Sequence, residues 1–295
     1  MSQNFTGAGA GVALITPFKG DYSIDYEALG QIVKNQIEGG MDYLVALGTT
    51  AETPTLSETE KKELVKFILH KSKNRLPVVI GMGGNSTSGI INNIKNASLE
   101  GVAALLIVTP FYNKPSQEGM YRHYMEIAKN SPIPIILYNV PSRTGVNLEA
   151  ETVIRLVNDS DKFIGIKEAS GIMSQLATIE KYTPDSFSLI SGDDVLALPT
   201  VTIGGKGIIS VIANGLPGKL SSLIHKALEN DFMGAKAIHL EMIDLFKLIF
   251  KEGNPGGIKA MMHYQGTIEN VLRLPMYHVT DGTYNLIKDA YNKLV

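Results

Sequence analysis

Eight times along the chain, a short run of apolar, β-prone residues stops abruptly at Pro, Gly or a hydroxylated residue, and an amphipathic stretch follows. The runs cover residues 11–16, 43–47, 77–81, 103–108, 134–138, 163–167, 187–190 and 207–211, at intervals of roughly 20 to 35 residues. Strands that are apolar from end to end are covered on both faces, as parallel strands are when helices return between them. The intervening stretches carry helical spacing, as at Leu29, Ile32, Val33 and Ile37, or at Leu64, Val65, Ile68 and Leu69. Ser57 with Glu60 three residues on reads as a capping box, and helices are expected over 25–37, 86–99, 116–129 and 148–157. Eight strand-then-helix units predict an α/β fold, a closed (β/α)8 TIM barrel over residues 1–229. Residues 230–295 read as a C-terminal helical appendage, with helices over 232–250, 258–264 and 282–293 and no chemistry of its own.

In such barrels chemistry gathers at the C-terminal strand ends. Those ends carry Thr16, Thr49 and Thr50, Asn85, Thr109 with Tyr112, Tyr138, Lys167, Gly192 with Asp193, and Ser210. Lys167 closes the sixth run, where alternation puts Ile164 and Ile166 on one face and Gly165 and Lys167 on the other. An ammonium is costly to bury, so an apolar strand end favours the free amine, a nucleophile toward carbonyls. Taken singly, each residue has a plainer use. Lys167 can snorkel, Thr49 and Thr50 can cap a turn, Tyr138 can sit in a core, Arg143 can be surface, and Asp193 and Asp194 can cap the seventh helix. What favours function is coincidence: one lysine, one tyrosine and paired threonines on three strand ends of one barrel.

Composition excludes other classes. A formal net charge of −2 over 295 residues gives no basic face for nucleic acid. There is no Cys, which rules out disulfides and thiolate metal sites, and no apolar run approaches the roughly 18 residues of a membrane span. The first residues lack the pattern of a signal peptide, so a cytoplasmic protein is expected. The six histidines are scattered, and no His or carboxylate pair on the rim has metal-ligand spacing, so no metal is expected.

Six motifs in order resemble those of the dihydrodipicolinate synthase family of Schiff-base barrels. They are Gly48-Thr49-Thr50-Ala51-Glu52, Thr109-Pro110-Phe111-Tyr112-Asn113, the run from Tyr138 through Arg143 to Gly145, Ile166-Lys167-Glu168-Ala169, Ser191-Gly192-Asp193-Asp194 and Gly207-Ile208-Ile209-Ser210-Val211. The resemblance implies condensation of pyruvate with L-aspartate-4-semialdehyde, the first committed step of lysine and diaminopimelate synthesis, with no cofactor beyond a covalent Schiff base. By resemblance, Lys167 forms the Schiff base, Tyr138 relays protons, and Thr49 links it to Tyr112, which enters a neighbouring subunit's site. Thr50, with the Ile209 main chain and Gly192, would line the pyruvate pocket, and Arg143 would bind the semialdehyde carboxylate. A homotetramer of two tight dimers is implied.

Two positions depart from the family pattern. Ala51 stands where Gly is usual, and its methyl group fits only if φ there is negative. Where sensitive members offer histidines, a tyrosine and a glutamate to inhibitory lysine, this chain has Glu58, Lys61, Phe111 and Gly89, with Asn85 retained. Weak or absent lysine inhibition is therefore expected. N-acetylneuraminate lyase and keto-deoxy sugar-acid aldolases share the lysine and tyrosine. Arg143 argues against them, because polyol aldehydes offer it no carboxylate. A keto-acid-binding regulator and a metal-dependent aldolase are the remaining alternatives.

Overall fold

The computed structural model describes residues 5–294. Eight parallel strands close in chain order: β1 Gly9–Ala13, β2 Tyr43–Ala46, β3 Val78–Gly81, β4 Val102–Val108, β5 Ile135–Asn139, β6 Phe163–Glu168, β7 Ser188–Ser191 and β8 Gly207–Ser210. Closure is made by β1 on β8, with Gly9 beside Gly207 and Val12 beside Ser210. Between and after the strands lie α1 Tyr26–Glu38, α2 Glu58–Ser72, α3 Thr87–Asn96, α4 Gln117–Asn130, α5 Pro141–Thr144, α6 Ala150–Asp159, α7 Met173–Tyr182, α8 Ala197–Thr202 and α9 Pro217–Leu228. The appendage adds α10 Phe232–Leu248, α11 Gly256–Tyr264 and α12 Asp281–Asn292.

Alternation along the strands builds two apolar layers. Leu44, Leu105, Leu137, Ile166 and Leu189 face outward and meet Leu29, Ile68, Ile127, Leu156 and Leu223 of the helices. Each such side chain is worth about 1.5–3 kcal/mol when fully buried. Inward, Val45, Val79, Ala104, Leu106, Ile136, Ile190 and Ile209 fill the barrel, together with Tyr43 at the start of β2. Gly11 makes room for that ring: a Cβ there would lie 2.3 Å from Tyr43 Cε2. Gly207 is required for a different reason. Its φ is +146°, and a Cβ would sit 2.0 Å from the Gly9 carbonyl oxygen at the closing seam.

Several boundaries differ from the sequence reading. β1 starts at Gly9 and ends at Ala13 although the apolar run continues, because the Ile15 amide leaves the ladder for Asn214 Oδ1. The stretch after β5, read as a loop, contains the one-turn helix α5, with Pro141 at its start and Gly145 at φ +75° closing it. α6 begins at Ala150 rather than Leu148, whose amide is taken by Asn139 Oδ1. In β6 the register shifts opposite Ile135 and Ile136. Ile164 therefore packs against the inner layer while Ile166 joins the outer one, and the two do not share a face. The capping box of Ser57 and Glu60 is present at α2. Among the described residues, no helix is long and apolar enough to cross a membrane.

Candidate active site

Tyr138 near the end of β5 and Lys167 near the end of β6 are register partners, and Lys167 is in turn opposite Ile190. Both point into the barrel mouth, with only 7% and 5% of their surfaces exposed. Lys167 Nζ lies 4.6 Å from the centre of the Tyr138 ring. Gly192, just after β7, borders this pair. A Cβ there would lie 2.7 Å from Ala169 Cβ and 3.1 Å from Lys167 Cγ, so the lysine stem occupies the space a side chain would need.

The polar groups at the strand ends fall into two sets. Some are spent on structure. Thr16 Oγ1 donates to the Ala51 carbonyl, Thr109 Oγ1 to Thr144 Oγ1, and Asn85 Nδ2 to the Phe111 carbonyl. The Ser210 hydroxyl donates to Asp194. The others have no side-chain hydrogen-bond partner among the described residues: Lys167, Tyr138, Thr49, Tyr112 and Arg143. Tyr112 is 85% exposed with φ +75°, and Arg143 is exposed on α5. Ile209 is fully buried in the inner layer. No hydrogen bond joins the Thr49, Tyr112 and Tyr138 hydroxyls within this chain.

The residues that follow Tyr138 and Lys167 point the opposite way, and the sequence reading gave them no role. Asn139 Nδ2 donates to Glu168 Oε2 at 2.9 Å and to Asn147 Oδ1 at 2.7 Å. Glu168 also accepts from Gln175 Nε2 at 3.0 Å and the Ser170 amide at 2.6 Å. This buried carboxylate is thus satisfied by neutral donors alone, and it ties β5, β6, α7 and the loop after Arg143 into one unit. Only the cross-strand register reveals it; Glu168 read as part of a motif and nothing more.

The threonine turn is held from the far end of the chain. Thr49, Thr50 and Ala51 form one turn of 3-10 helix. The left-handed residue is Glu52 at φ +54°, not Ala51, so the departure from glycine brings no backbone strain. Glu52 is buried and pairs with the fully buried Lys259 of α11, while its other oxygen accepts from the Arg273 amide. Burial pushes the Lys259 ammonium down to about 8 against the opposing pull of Glu52. Asn254, before α11, donates to Thr50 Oγ1 at 3.0 Å. The C-terminal helices, read from sequence as having no chemistry of their own, thus reach the threonine turn itself.

Asp193 and Asp194 do not cap a full helix together. Asp193 caps a single 3-10 turn through the Val195 amide. Asp194 is buried and accepts from Ser210 Oγ and from the Val211 and Ile212 amides, fastening the loop after β7 to the end of β8. Burial raises its carboxyl to about 6 even though those three donors lower it.

A closed parallel barrel with one buried, unpartnered amine beside a phenol at its mouth defines a lyase of the class I aldolase type. A model of the dihydrodipicolinate synthetase family matches residues 7–293. A 4-hydroxy-tetrahydrodipicolinate synthase from Parabacteroides distasonis is 49% identical over 286 residues, covering 97% of this chain and 96% of that protein. The crystal structure of dihydrodipicolinate synthase from Aquifex aeolicus superposes with a TM-score of 0.93 at 38% identity, over 97% of each chain. The chloride-inhibited dihydrodipicolinate synthase from Acinetobacter baumannii, complexed with pyruvate, gives 0.94 at 36% identity, over 97% of this chain and 98% of that one. The chain belongs to the dihydrodipicolinate synthetase family.

Asp194 yields a test of the strand-end geometry. Its folded pKa lies above its unfolded one, so its contribution to stability is complete below 3.8 and is lost as pH rises through about 6. The displacement corresponds to about 3 kcal/mol. Asp194→Asn should therefore gain on the wild type as pH rises from about 4 to about 7, measured by urea unfolding. A stability difference that does not change with pH would remove Asp194 as a buried carboxylate.

Proposed function

We propose that this protein is a 4-hydroxy-tetrahydrodipicolinate synthase, condensing pyruvate with L-aspartate-4-semialdehyde at the entry to lysine and diaminopimelate synthesis. The observation that carries the reading is an amine and a phenol on paired strands, both buried and both unpartnered. The Lys167 amine adds to the pyruvate C2 carbonyl, and water leaves as the protonated imine forms. The cationic nitrogen withdraws electrons, a methyl proton departs, and the resulting enamine carbon bonds to the aldehyde carbon. Tyr138 passes the protons, with Thr49 connecting it toward solvent and Tyr112. The lysine itself supplies the electron sink, so no cofactor is called for.

Thr50 holds the pyruvate carboxylate in a pocket bordered by the Ile209 main chain and Gly192. Arg143 takes the carboxylate of the semialdehyde, for which its planar fork is suited. The pyruvate bound in the Acinetobacter baumannii relative supports pyruvate as the first substrate. Tyr112, projecting on a left-handed residue into solvent, suits insertion into a second subunit, and we propose a cytoplasmic homotetramer built of tight dimers.

Borohydride reduction in the presence of pyruvate should add one pyruvate-derived group to Lys167, read by peptide mass, and Lys167→Ala should lose both label and activity while keeping its fold. Tyr138→Phe should slow turnover by about 10²–10⁴-fold. An unlabelled wild-type enzyme would exclude the mechanism.

Arg143→Ala should raise the KM for the semialdehyde by about tenfold or more and leave the pyruvate concentration needed for trapping nearly unchanged. Equal damage to both substrates in two-substrate kinetics would assign Arg143 a general structural role.

Lysine should inhibit weakly or not at all. Glu58 is paired with Lys61 at 2.8 Å, Asn85 is engaged with the Phe111 carbonyl, and Gly89 offers no carboxylate to an incoming ammonium. A lysine titration of activity checks this, and strong inhibition at submillimolar concentration would contradict it.

A further inference from the structure

Thr50 and Asn254 are 204 residues apart in sequence, yet the Asn254 amide nitrogen donates to Thr50 Oγ1 at 3.0 Å. Thr50 is 2% exposed and Asn254 5%. The polarity of this bond matters. A threonine hydroxyl has one proton and two lone pairs. An N–H donor occupies a lone pair and cannot receive the proton. Among the described residues, Thr50 Oγ1 donates to no acceptor, so its proton has no protein partner.

With the amide so placed, Nδ2 serves Thr50 while Asn254 Oδ1 is buried without a partner. The turn itself cannot swing away to compensate. Glu52, two residues on, is fixed by Lys259 Nζ and the Arg273 amide, and Thr16 Oγ1 holds the Ala51 carbonyl.

We infer that Asn254 is a positioning residue for recognition of the keto acid's carboxylate: its amide orients the Thr50 hydroxyl so that the proton points to the bound anion. A carboxylate has only acceptors to offer, and a hydroxyl already occupied by a donor is its matched partner. Asn254 does not touch the reacting atoms and acts through Thr50 alone. This rests on the reading of the protein as a pyruvate-binding Schiff-base enzyme.

The test is a double-mutant cycle on the intact enzyme with Asn254→Ala, Thr50→Val and the pair. Two quantities are read: the pyruvate KM with kcat, and the pyruvate concentration giving half-maximal borohydride trapping of Lys167. Asn254→Ala should raise both pyruvate concentrations by about tenfold with kcat changed less than about threefold. In the Thr50→Val background the same substitution should have no further effect. Asn254→Asp, close in shape, serves if the alanine variant fails to fold. It offers only acceptors, captures the Thr50 proton, and should weaken pyruvate trapping without a loss of thermal stability that accounts for it. Additive effects in the cycle, or a fall in kcat at unchanged pyruvate KM, would overturn the inference while wild-type trapping leaves the enzyme assignment standing. Wild-type enzyme that pyruvate does not label at all would sink both.

Discussion

The site depends on one register. At the ends of β5 and β6, Tyr138 is opposite Lys167 and Asn139 is opposite Glu168. Successive side chains alternate, so the first pair faces the barrel mouth and the second faces the helices. A slip by one residue would exchange the two pairs and send an amide and a carboxylate inward. The outer pair resists that slip. Glu168 collects amide donors from Asn139 and Gln175 and a main-chain donor from Ser170, all of which would be left buried without a partner if the strand moved. Satisfied polarity on one face thereby fixes unsatisfied polarity on the other.

A second constraint comes from the C-terminal helices. The turn bearing Thr49 and Thr50 is short and contains a left-handed glutamate, which alone would be a poor foundation for a binding site. The buried pair of Glu52 and Lys259 is not free stabilisation, since desolvating both charges consumes most of their attraction. Its effect is specificity of place: a carboxylate with no water around it is stable only where the ammonium and the Arg273 amide meet it. Arg273 continues the connection outward to Glu60 of α2 and to the Tyr22 and Thr55 carbonyls. The barrel rim and the appendage are therefore one body at this edge.

The barrel was legible in the chain because strands covered on both faces leave unbroken apolar runs, and eight of them leave little choice of topology. Lys167 and Tyr138 stood out only together: each has a plainer use alone, but a lysine, a tyrosine and paired threonines at the strand ends of one barrel coincide. Less was legible where partners come from distant sequence. Nothing local distinguishes Asn254 from an ordinary helix-flanking residue or Lys259 from an ordinary helical lysine; their roles exist only once α11 folds back on the threonine turn. Asp194 looked like a helix cap because Asp often is one, whereas its donors come from the last residue of β8 and the two that follow it. α5 is four residues long, too short for a period of 3.6 to register, and the register shift in β6 leaves no trace in composition.

The molecule holds two deeply buried lysines, and they differ in a way that burial alone does not convey. Lys259 has its charge discouraged by its surroundings, yet its nitrogen is capped by a carboxylate and a carbonyl oxygen with the Phe18 ring against it. No small electrophile arriving from solvent can find a vacant approach to it. Lys167 is nearly as enclosed, 5% exposed against 0%, but it borders a mouth that opens outward. Access in this scaffold is consequently a matter of trajectory, and a small molecule wandering into the barrel mouth encounters the Lys167 amine alone.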